Sequence, residues 1–61
     1  MNKATHKRIA TEHIDGAEFG LEYTDGNYKI IRCEGKYNYT KTLDTKDEAE
    51  ALAKFELFVH N

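Results

Sequence analysis

One cysteine, no proline, no tryptophan and four glycines mark the scarce residues of this chain. A lone Cys33 excludes an internal disulfide, and together with three scattered histidines it lacks the spacing of a zinc site. No covalent or metal staple is therefore expected, and a reducing, cytoplasmic setting fits best. Long apolar runs are absent as well. The start, Met1-Asn2-Lys3-Ala4-Thr5-His6-Lys7-Arg8, is basic but leads into no apolar stretch, so neither a signal peptide nor a membrane segment is expected. Met1 reads as a native start.

Charge of one sign is also missing. The formal net charge is -2, which argues against the overall basic bias of a protein built to neutralise phosphates. The charge is nevertheless segregated. Lys3, Lys7 and Arg8 make the first eight residues basic, and Glu12, Asp15, Glu18, Glu22 and Asp25 make the next stretch acidic. Lys29, Arg32, Lys36 and Lys41 then reverse the sign against Glu34 alone, before the chain turns acidic again. Any nucleic-acid contact must be local.

What is present suffices for one small core. The 61 residues are 39% hydrophobic and 33% charged, with four Tyr and three Phe, too apolar for a disordered chain and too short for a second domain. We read residues 1–61 as a single domain of marginal stability.

The C-terminal third carries the clearest signal. Thr45-Lys46-Asp47-Glu48 has capping-box spacing and predicts a helix over 45–60. Ala49, Leu52, Phe55 and Val59 recur on one face, with Asp47, Glu50 and Lys54 opposite, and Leu57 falls on the polar side. Upstream, Asp25-Gly26 lies between two runs of strand-forming residues, 18–23 and 28–33, and predicts a hairpin. Glu34-Gly35 then leads into 37–43, which adds a second hairpin. The expected fold is α+β: a three-stranded antiparallel β-meander over 18–43 packed on one C-terminal α-helix, a βββα order.

Two-residue turns would sort this sheet into two faces. Phe19, Leu21, Tyr23, Tyr28, Ile30, Tyr37, Tyr39 and Leu43 would bed the helix, with Arg32 and Lys41 at the margins. The open face would carry Glu18, Glu22, Lys29, Ile31, Cys33, Lys36, Asn38 and Thr40. A three-residue second turn would instead move Tyr37 and Tyr39 to the open face. Ile9 and Ile14 fit a short helix, an added edge strand or a draped arm, and residues 1–8 are expected to form a flexible basic arm.

No catalytic set emerges. His6, His13 and His60 would have to converge from both termini, and Cys33 has Lys36 as a cross-strand neighbour but no base with an orienting partner. The acidic residues Asp44, Asp47 and Glu48 suit a helix N-terminus better than a calcium site. No cofactor, catalytic residue, metal or small-molecule substrate is expected, and the chain is read as a non-enzyme.

The stretch Gly26-Asn27-Tyr28-Lys29-Ile30-Ile31-Arg32-Cys33-Glu34-Gly35-Lys36, followed by Lys41-Thr42-Leu43-Asp44-Thr45-Lys46-Asp47-Glu48-Ala49, resembles the three-stranded-sheet DNA-binding domains of tyrosine-recombinase arm-binding modules and ethylene-response-factor type proteins. The likeness covers about residues 18–58. It implies a sheet packed on a helix, with the open sheet face entering the major groove. Here Glu18 and Glu22 offset Lys29 and Lys36 on that face.

Two functions follow from the sequence. The preferred one is a small regulatory or inhibitory protein that docks on another protein, in keeping with a phage or mobile-element accessory role. The alternative is DNA binding by the open face. In either case the expected contact residues are Lys29, Ile31, Lys36, Asn38 and Thr40, with Lys3, Lys7 and Arg8 as a basic arm. A homodimer through a sheet edge is a further option.

Overall fold

The computed structural model describes residues 6–60. Among these residues the order is β1 (His6–Ile14), β2 (Ala17–Thr24), β3 (Asn27–Glu34), β4 (Tyr37–Thr42) and α1 (Glu48–His60). All four strands form one antiparallel sheet in the order β1-β2-β3-β4. The three-stranded expectation is therefore corrected to four strands and one helix.

The added strand has a local cause. Asp15-Gly16 repeats the chemistry of Asp25-Gly26, and all four residues have positive φ, as a type I′ hairpin turn requires. β1 thus folds back on β2 through the same kind of turn that joins β2 to β3. Its alternation is hidden because the pairing shifts between Arg8 and Ala10, leaving Ile9 as an extra residue. Lys7, Ala10, Glu12 and Ile14 face the helix side; His6, Arg8, Thr11 and His13 face the other. The expected arm thus overlaps β1 from His6 onward, and Lys3 lies outside the described residues.

The second hairpin also differs in detail. Glu34 pairs with Tyr37, so the turn is Gly35-Lys36 rather than Glu34-Gly35. Gly35 has φ 60°, which suits the first central position of a tight hairpin turn. The slip is by two residues, an even number, so the side chains of β4 keep their expected faces while Lys36 passes into the turn. Leu43 N–H donates to Tyr28 O at 2.8 Å and extends this ladder one step beyond β4.

The helix cap moves by two residues. Asp47 Oδ2 accepts from Glu50 N–H at 3.0 Å, the bond of an N-cap to the third helical residue. Thr45 sits two residues earlier: its hydroxyl accepts from Asp47 N–H and donates to Glu50 Oε1 at 2.8 Å. Lys46 Nζ donates to Gly26 O and Asn27 Oδ1, tying the helix entry to the β2–β3 turn.

The core lies between α1 and one sheet face. Ala51, Phe55 and Val59 are the buried helix residues, against Ala17, Phe19, Leu21, Tyr28, Ile30 and Leu43. The expected helix face is rotated, because Ala51 replaces the exposed Ala49. Phe58 meets Phe19 edge-on, with centroids 6.0 Å apart and rings at 73°. The helix packs on β2 and β3, the two central strands. This leaves both sheet edges less covered.

Candidate functional site

Three surfaces result, and they differ in chemistry. On the open face the β1–β2 half is an ion cluster. Arg8 Nε and Nη2 donate to Glu22 Oε2 at 2.9 and 2.7 Å, and Nη1 donates to Thr11 Oγ1 at 2.9 Å. His6 Nε2 lies 2.8 Å from Glu22 Oε1, and Glu18 reaches Arg8 at 3.5 Å and His13 at 3.6 Å. The Glu22 side chain is only 13% exposed. Desolvation pushes its carboxyl up, but the hydrogen bonds from Arg8 and then His6 outweigh this and hold it below the usual carboxylate range. The same hydrogen bond raises Arg8, against a smaller opposing effect of burial.

The β3–β4 half carries the residues singled out from sequence. Ile31 pairs with Thr40, Cys33 with Asn38 and Lys29 with Thr42, which brings Lys29, Ile31, Asn38 and Thr40 onto one surface. Lys36 sits apart in the turn that ends it. Lys7 points to the helix side of β1, opposite Tyr23, and so does not share a face with Arg8. Arg8 is bound into the Glu22 cluster rather than carried on an arm.

Of the third surface the sequence suggests only Leu57 and an open sheet edge, not the exposed tyrosines beside them. Because α1 lies over β2 and β3, every residue of β4 is exposed, and β4 is also an edge strand. Tyr37 is 56% exposed, Tyr39 39% and Leu57 70%. Phe58 stacks on Tyr39 with rings 5° from parallel and centroids 6.0 Å apart. The Arg32 guanidinium lies 5.7 Å from the Phe19 centroid and 5.9 Å from that of Tyr37, while Nη2 holds Glu34.

Beside this aromatic row a groove of about 450 Å³ opens between β4 and α1. Ile30, Leu43, Leu57 and Phe58 are its apolar lining residues, and Lys41, Thr42, Asp44 and Lys54 its polar ones. Leu57, assigned to the polar side of the helix by periodicity, therefore lines the groove together with Ile30, Leu43 and Phe58.

No family model, curated protein or solved structure matches the chain. The sheet with a C-terminal helix is compatible with the fold-level likeness to sheet-plus-helix DNA-binding domains, but no match supports membership among them. Among the described residues no helix is long and apolar enough to cross a membrane.

Proposed function

We propose that this chain is a small non-enzymatic regulatory or inhibitory protein that docks on another protein through the β4 edge and the adjoining groove. The occupant is an extended partner segment that adds to β4 as a fifth strand and carries apolar side chains interspersed with carboxylates. The observation that supports this reading is the coincidence of an unpaired edge with exposed Tyr37, Tyr39 and Leu57 on one side of the molecule. Edge strands are ordinarily blunted, and large aromatic side chains beside an open edge suit recognition better than protection. A carboxylate in the partner is directed to Lys41, since Lys54, which also lines the groove, already lies 3.9 Å from Glu50 Oε2.

The test is a selection from a displayed peptide library against the intact chain, followed by amide mapping of the enriched peptides. Alternating apolar and acidic sequences that perturb Tyr37–Thr42, Leu57 and Phe58 are expected. Failure to enrich any sequence, or perturbation confined to Lys29, Ile31, Asn38 and Thr40, would sink this reading.

One observation favours DNA as a second reading. The β3–β4 half of the open face combines Lys29 with Asn38, Thr40 and Thr42, although Glu22 and Glu18 of β2 stand opposite Lys29 and Cys33. Binding of a mixed-sequence duplex that weakens steeply with salt and shifts these amides would establish it over protein docking.

A further inference from the structure

The three histidines of the chain do not converge on each other, but one of them converges on two glutamates. Glu12 of β1, on the helix side opposite Phe19, meets Glu56 and His60 of the last turns of α1. One ligand atom from each lies within 4.8 Å of the other two. Spacing of four residues places Glu56 and His60 on one helix stripe, with His60 Nε2 3.2 Å from Glu56 Oε1. The two-residue Asp15-Gly16 turn pairs Glu12 with Phe19 and so turns it toward them.

We propose that Glu12, Glu56 and His60 form a binding site for a divalent transition-metal ion, with zinc as the best fit. Two carboxylates held this close repel each other, and a cation between them removes the repulsion. The donor set selects the ion class. An imidazole nitrogen with two carboxylate oxygens suits zinc, whereas calcium and magnesium take all-oxygen shells. Three protein ligands leave the fourth tetrahedral position to water. Glu56 and His60 are half-exposed, so the bound ion exchanges with solvent and is held less tightly than a closed structural zinc.

The consequence is mechanical. A metal here clamps the C-terminal end of α1 to β1, the edge opposite β4, and so stabilises the fold without touching the docking groove. Inspection of histidine and cysteine spacing misses the site because its ligands come from two distant places in the sequence and two of the three are glutamates.

Zinc chloride titrated into the intact chain, read by imidazole and amide NMR and by thermal unfolding, tests the proposal. One-to-one saturation with shifts centred on Glu12, Glu56 and His60, and a higher midpoint of unfolding, is expected. Glu12→Gln and His60→Gln, each checked for a native spectrum, are expected to weaken zinc binding by about tenfold or more. His13→Gln and Cys33→Ser should leave it unchanged. Non-saturating shifts spread equally over His6 and His13, or Glu12→Gln and His60→Gln chains that bind as tightly as the unaltered one, would overturn it.

Discussion

The Arg8 guanidinium lies flat across Gly20, so close that a Cβ at Gly20 would stand 2.8 Å from Arg8 Cζ. Glycine at this buried strand position thus lets Arg8 reach both Glu22 and Thr11. Gly20→Ala is expected to displace the guanidinium. Loss of charge-assisted bonds to a partly buried carboxylate costs about 1–3 kcal/mol, and replacing a strand glycine returns about 0.5–1 kcal/mol. A net loss of about 1 kcal/mol in urea unfolding is expected, with the resonance of the Arg8 Nε proton moving to its solvent-exposed position.

Glu22 also sets an acid limb. Its folded pKa lies below the ordinary 4.5, so the folded state binds this proton less readily than the unfolded chain. The resulting stability is present above that ordinary value and is lost as pH falls through the lowered one. Glu22→Gln is expected to flatten the stability profile over this acid window. Tyr28 works in the other direction, since burial first, and then Glu48, raises its phenol above 10.0. Its contribution is present below pH 10.0 and fades as pH rises through the raised value, and Tyr28→Phe should remove that alkaline limb.

Phe55 and Leu57 are two positions apart on α1 and separate folding from recognition. Phe55 is fully buried, and Phe55→Ala is expected to cost about 3–5 kcal/mol. A domain of this size holds only about 3–9 kcal/mol in all, so that chain should be largely unfolded in circular dichroism at ambient temperature. Leu57→Ala, by contrast, should change stability by no more than about 0.5 kcal/mol.

The fourth strand has its own test. Gly16 has φ 83°, a conformation that a β-branched residue adopts only at a cost of about 1–2 kcal/mol. Gly16→Val should therefore destabilise the whole domain, because β1 supplies Ile9, Ala10 and Ile14 against the core. A folded domain with unchanged stability would show that β1 is dispensable.

These positions also show what the sequence could and could not disclose. Asp25-Gly26 announces its hairpin, and the faces of β2, β3 and β4 follow from alternation even though the second turn lies one residue later than Glu34-Gly35 suggests. Asp15-Gly16 carried the same signal, but the extra Ile9 broke the alternation that would have made β1 recognisable. Capping chemistry located the helix, although Asp47 and not Thr45 caps it. Where α1 comes to rest across the sheet is a tertiary matter. Only its seat over β2 and β3 leaves Tyr37, Tyr39 and Leu57 uncovered, and local pattern is silent on that seat.

The docking surface is tested most directly by comparing two single variants against one library-selected peptide. Leu57→Glu places a carboxylate in the groove, and Ile31→Ser removes the apolar spot on the open face. The expected result is binding weakened by about tenfold or more for Leu57→Glu, the loss typical of an interface anchor, with Ile31→Ser indistinguishable from the unaltered chain. The reverse pattern, with Ile31→Ser impaired and Leu57→Glu intact, would contradict docking at the β4 edge and return the contact to the open sheet face.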